Sequence, residues 1–145
     1  MASLTPEGQE IFGAKYDPAD EVWLRAFFTP SERSQAAGRK YLERQRARKE
    51  NRDPLPNEKV APAQVAALQK WGAPTKNSYA YLKNITQPVL VVNGSNDVII
   101  YTINSYILQQ NLPNAQLILY PDANHGSQYQ YPKLFVAHAT LFLNA

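Results

Sequence analysis

Apolar positions in this chain recur in two distinct patterns. Val89–Val92 and Gln116–Tyr120 are short apolar runs, the first closed by Asn93-Gly94 and the second by Pro121. Unbroken runs of this length, bounded by turn residues, predict strands covered on both faces, as in a parallel sheet. Between them, Thr102–Asn111 carries Ile103, Ile107 and Leu108, with Tyr106 alongside, at helical spacing. A strand, a helix and a second strand joined by a connection this long predict a right-handed βαβ unit.

The rest of the pattern is helical. Residues 1–20 carry Pro6, Gly8, Gly13, Asp17 and Pro18 with little periodicity, which predicts irregular chain and one helical turn near Pro6–Ile11. Asp20 is placed to cap a short helix over Glu21–Phe28, whose apolar residues surround the axis and so require cover. Thr29-Pro30-Ser31-Glu32 has the form of a helix start, with Thr29 as cap and Glu32 completing a capping box. The helix is expected to run to Lys49 with a narrow apolar stripe of Ala36, Ala37, Tyr41 and Leu42. Residues 51–60 read as a loop. A helix over Pro62–Trp71 stops at Gly72-Ala73-Pro74. Asn77 or Ser78 caps a short helix through Lys83, and Gln128–Leu143 forms a closing helix with Leu134, Phe135, His138, Leu141 and Phe142 inward.

Composition narrows the chemistry. The 145 residues suffice for one domain with a core, and the apolar fraction of 44% is that of a globular protein. With no cysteine, a disulfide framework, a thiol nucleophile and thiolate metal sites are excluded. The two histidines, His125 and His138, are not at ligand spacing, so no metal is expected. No cofactor is implied. No apolar stretch approaches the ~20 residues that span a bilayer, and the N-terminus lacks a signal-peptide pattern. The expectation is therefore a cytoplasmic chain without membrane contact.

Charge is uneven. The net charge is +3, but residues 33–52 hold eight bases against two acids. Such a block reads first as the solvated face of a surface helix. Nucleic acid is not the expected partner, although a binding or regulatory role through this helix or through an open strand edge is the alternative to catalysis.

Candidate catalytic residues stand just past the two strands. Asp97 lies three residues after Gly94, and His125 five after Tyr120. In open α/β sheets, sites form outside the carboxyl ends of the strands. Neighbouring strands lie ~5 Å apart, close enough for the two loops to bring Asp97 and His125 into contact. A carboxylate that orients a histidine is the second half of a nucleophilic triad. His138, on the inward face of the closing helix, reads as a packed, hydrogen-bonded histidine. Trp23, Phe27 and Phe28 are candidate walls of an acyl or aromatic pocket, with Trp71 as a further one.

Residues 88–144 resemble the C-terminal part of an α/β-hydrolase. The resemblance rests on Pro-Val-Leu-Val-Val-Asn-Gly-Ser-Asn-Asp, Asn-Leu-Pro-Asn-Ala-Gln-Leu, Asn-His-Gly and the amphipathic helix after them. It implies an α/β fold: two parallel strands with flanking helices (residues 76–145) and an all-helical cap (residues 1–75). It also implies Asp97 and His125 as acid and base, 28 positions apart and in the family's chain order. Tyr101 stands where many members carry proline. The chain has no Gly-x-Ser-x-Gly elbow and no His-Gly-Gly stretch for an oxyanion hole. Both belong to the family's N-terminal half. The chain therefore reads as a C-terminal piece that depends on that half for its nucleophile (Ser, Asp or Cys) and for activity on a small acyl substrate such as an ester. A cofactor-free haloperoxidase-type chemistry and a swapped association with a full-length homologue are the other options on the same scaffold.

Overall fold

The computed structural model describes residues 4–54, 57–73 and 75–145. Residues 1–3 of the N-terminal stretch, 55 and 56 of the loop, and Pro74 of the helix stop lie outside the described residues. The elements, in chain order, are α1 (Pro6–Gly13), α2 (Val22–Phe27), α3 (Glu32–Ala47), α4 (Val60–Gly72), β1 (Val89–Gly94), α5 (Ile103–Asn111), β2 (Ala115–Tyr120), α6 (Ser127–Gln130) and α7 (Pro132–Leu143). Single 3-10 turns precede α2 (Ala19–Glu21) and β1 (Ala80–Asn84).

β1 and β2 pair in parallel, with Val89 opposite Ala115 and Gly94 opposite Tyr120. The strand–helix–strand unit is thus in place, and both strands stop at the same rim. α5 packs on both strands and α6 on β1. The helices before the sheet are held by two apolar clusters, one joining them to the loop after β1 and one joining α2 to α3. Ile11, Ala26 and Ile99 form one, joined by Val22, Phe27 and Val98. Phe28, Tyr41 and Leu42 form the other, joined by Leu24, Phe27 and Ala37. Phe27 belongs to both, so α2 is the hinge-pin between the helical segment and the sheet end.

Several local expectations are corrected. The N-terminal turn is a two-turn helix, because Thr5 caps it by accepting from Gly8 N at 2.9 Å and Pro6 fits its first turn. Asp20 caps nothing. Its carboxylate takes both Nε (2.8 Å) and a terminal nitrogen (2.7 Å) of Arg46. α3 starts two residues later than the Thr-Pro pattern suggests. Ser31 is its cap, accepting from Ser34 N at 3.1 Å while donating to Asp122 at 2.6 Å. The helix ends at Ala47 and not at Lys49. Neither Asn77 nor Ser78 caps the turn before β1: Asn77 adopts φ 59°, and the Ser78 hydroxyl bonds back to Thr75 O. The closing helix is broken at Tyr131-Pro132, since proline cannot donate to the preceding turn. Leu134 and Leu141 face outward on α7, at 45% and 74% exposure. Among the described residues, no helix is long and apolar enough to cross a membrane.

Candidate active site

The loops leaving β1 and β2 are locked together before they present any side chain. Ser95 N donates to Tyr120 O at 2.8 Å, and Asn96 N to Ala123 O at 2.9 Å. A Cβ on Gly94 would fall 2.1 Å from the Ala123 carbonyl oxygen, so only glycine lets the second loop pass over the end of β1. Thr102 completes the first loop: its hydroxyl donates to Gly94 O at 2.7 Å and accepts from Asp97 N at 3.1 Å.

Asp97 is buried at 3% exposure. Its Oδ1 accepts from Ile99 N (2.8 Å) and Ile100 N (3.0 Å), which leaves Oδ2 to meet His125 Nδ1 at 2.9 Å. A buried carboxylate needs such partners, and here every oxygen has one. Only the histidine side of the pair reaches solvent, with 37% of its side chain exposed against 1% for the aspartate. With Nδ1 donating to the carboxylate, Nε2 is the nitrogen free to accept a proton from outside.

Asn124, which sequence reasoning did not single out, joins the parts. It is 3% exposed. Its Oδ1 accepts from Val98 N at 2.8 Å in the acid loop and from His125 N at 2.9 Å, and its Nδ2 donates to Arg25 O at 3.1 Å in α2. The available signal was the Asn-His-Gly tripeptide itself, a buried-type amide next to a candidate base. Thr5 makes a second tie: its hydroxyl donates to Val98 O, and its N–H to Ile99 O at 3.2 Å.

A further cluster supports the histidine loop from behind. Asp122, at φ 48°, accepts from the hydroxyls of Thr29 (2.5 Å) and Ser31 (2.6 Å). These bonds hold its carboxyl below the ordinary range, with Arg33 adding attraction. Gln130 Nε2 donates to Asp122 O at 2.7 Å and its Oε1 accepts from the Ser34 hydroxyl at 2.7 Å.

The four aromatic candidates separate. Phe27 faces the His125 ring at 6.2 Å between centroids, and Trp23 packs on Phe27 at 4.9 Å. Phe28 is buried with Tyr41 and Leu42 beneath α3, and lines a cavity of about 760 Å³ with Thr29, Asn96, Val98 and Asn124 that does not include His125. Trp71 lines a different cavity of about 170 Å³, with Tyr79, Tyr81, Ile107 and Leu108. Tyr129, not anticipated from the sequence, takes the position beside Phe27 at 5.3 Å. His138 stacks on Tyr120 and shares a 2.9 Å hydrogen bond between Nδ1 and the phenol. Among the described residues, no group of three or more His, Cys, Asp or Glu is arranged to hold a metal ion.

No family model matches the chain. A pimeloyl-[acyl-carrier protein] methyl ester esterase of Nitrosomonas europaea is 38% identical over 63 residues, 43% of this chain and 25% of that protein. Among solved structures, an alpha/beta hydrolase fold protein from Chitinophaga pinensis matches 99% of this chain and 54% of its own, with TM-score 0.82 and 38% identity. A thermophilic esterase from Thermogutta terrifontis shares the fold at TM-score 0.58 and 20% identity, over 97% of this chain and 51% of its own. The chain has an α/β-hydrolase fold and spans about half the length of the solved structures it matches.

Proposed function

From that fold, we propose that this chain supplies the acid and the base of a hydrolase site acting on esters or related small acyl compounds. The observation that carries the reading is the 2.9 Å contact between His125 Nδ1 and the buried Asp97 Oδ2, with the other edge of the imidazole open to solvent. In this reading residues 1–75 act as the cap over the site, and the nucleophile comes from a segment outside these 145 residues. The esterase names of relatives support the reaction class.

His125 Nε2 removes the proton from the nucleophile as it attacks the acyl carbon. The imidazolium formed is stabilised by the Asp97 carboxylate and returns the proton to the departing alcohol. Water then attacks the acyl intermediate, again giving up its proton to His125, and the acid leaves as the nucleophile is reprotonated. Asp97 holds the ring in the tautomer with hydrogen on Nδ1, which keeps Nε2 basic.

The test extends the coding sequence upstream of Met1, expresses that protein, and follows 4-nitrophenol release from a short-chain nitrophenyl ester. His125→Ala is expected to lower the rate by roughly 10³-fold or more. An unchanged rate in that variant ends the assignment.

A further inference from the structure

The bases of the segment that reads as a solvated face in the sequence are all exposed, yet they are not evenly spread. Arg44, Arg48 and Arg52 turn onto one cavity of about 520 Å³, together with Gln45, Tyr41 and Tyr129. Two neighbouring bases are otherwise engaged: Arg46 by Asp20 at 2.7 Å, and Arg33 over the Tyr131 ring at 5.9 Å. Arg48 is steadied by the carbonyls of Glu50 and Asn51. Arg44 and Arg52 have no carboxylate within ion-pair distance among the described residues. One acid, Asp53, also lines the cavity, so the local balance is three cations to one anion.

Two rings that line this cavity, Tyr41 and Tyr129, belong to a row of packed aromatics that ends at the candidate catalytic histidine. Tyr41 and Tyr129 stack at 4.7 Å, Tyr129 meets Phe27 at 5.3 Å, and Phe27 faces His125 at 6.2 Å. A charged pocket and an imidazole are thus joined by a short aromatic track. Guanidinium groups bind carboxylates and phosphates through paired N–H donors. Aromatic faces provide a sequence of apolar contacts for an alkyl chain.

We propose that the Arg44–Arg48–Arg52 cavity is a subsite for the anionic end, carboxylate or phosphate, of an amphiphilic acyl substrate. Its chain lies along Tyr41, Tyr129 and Phe27. This deepens the hydrolase reading, on which it rests only for where the bond is cleaved. The anion subsite itself requires no catalysis.

The test is isothermal titration of the 145-residue chain with octyl phosphate, octanoate and octanol. One or both anions are expected to bind at least tenfold more tightly than octanol, the tighter one identifying the end group. Arg44→Gln and Arg48→Gln should each weaken the anion about tenfold, Arg44→Lys less, and raised salt should weaken it in parallel. Arg39→Ala, on the same helix but outside the cavity, should leave affinity unchanged, and circular dichroism confirms that each variant is folded. Equal affinity for octanol, retention of anion binding in folded Arg44→Gln, or an equal loss in Arg39→Ala overturns the proposal. Because no turnover is measured, an inactive chain can still bind and an active one can still fail to.

Discussion

Gly126 and Phe27 are in direct backbone contact: Gly126 N donates to Phe27 O at 3.1 Å, and a Cβ on the glycine would fall 2.3 Å from the Phe27 Cβ. The residue after the candidate base is therefore glycine because a helix of the preceding segment lies against it. Gly126→Ala must push α2 from the histidine loop or break that bond. A loss of about 1–3 kcal/mol is expected from overpacking, read as a lowered urea midpoint at unchanged slope. An alanine variant as stable as the parent would mean that α2 is free to shift.

Asp97→Asn separates shape from charge. The amide oxygen can still accept from Ile99 and Ile100 N–H, so the loop should fold. Its NH₂ now faces His125 Nδ1 and favours the tautomer with the proton on Nε2, the nitrogen that must accept. In the upstream-extended protein, ester turnover should fall by about 10⁴ in kcat with KM little changed. A fall confined to KM would place Asp97 in binding and not in proton transfer.

Much of this architecture was legible from period and punctuation. The two apolar runs, the helix between them and the positions of Asp97 and His125 follow from local pattern, because each strand ends at a turn residue and the chemistry lies just beyond. What escaped is set by tertiary partners. Thr29 has the form of a cap, yet its N–H is drawn to the Ser34 hydroxyl and its own hydroxyl to Asp122, 93 residues away, and Ser31 caps instead. Asp20 likewise yields its capping role to Arg46. Phe27 and Phe28 are adjacent and chemically alike in sequence. Only the docking of α3 decides that one faces the histidine and the other the core. Tyr129 became part of the histidine's surroundings through the break at Pro132, which frees α6 to turn Tyr129 toward Phe27.

Asn124 acts as a positioning residue. Asn124→Ala leaves the N–H groups of Val98 and His125 and the carbonyl of Arg25 without their partner, all in or beside the core. At about 1 kcal/mol or more for each unsatisfied group, the variant should lose roughly 3 kcal/mol by chemical denaturation. In the upstream-extended protein, the folded fraction should also show a reduced kcat, because His125 loses its backbone anchor. Asn124→Asp keeps the acceptor but sets a buried carboxylate oxygen against the Arg25 carbonyl where the amide had donated, so at neutral pH it should recover little or none of the stability. Full recovery in Asn124→Asp would show that the bond to α2 contributes nothing.

Asp122 makes the helical segment's hold on the histidine loop sensitive to acid. The hydroxyls of Ser31 and Thr29 stabilise its charged form, so its folded-state pKa lies below the ordinary value of 3.8. A carboxyl depressed on folding binds fewer protons in the native state, so stability falls as pH falls. The contribution is complete above the ordinary carboxyl range, declines once the unfolded chain begins to take up the proton, and is lost below the folded value. Asp20, depressed chiefly by its hydrogen bond from Arg46, runs in the same direction, but that pair is exposed and salt-screened and should contribute little. Asp122→Asn keeps an acceptor for one hydroxyl and removes the titration. Urea midpoints measured from pH 7 to pH 3 should therefore drop less steeply in Asp122→Asn than in the parent, with the two curves converging at the acid end. Parallel curves would mean that the two hydroxyls hold the aspartate no better than water does.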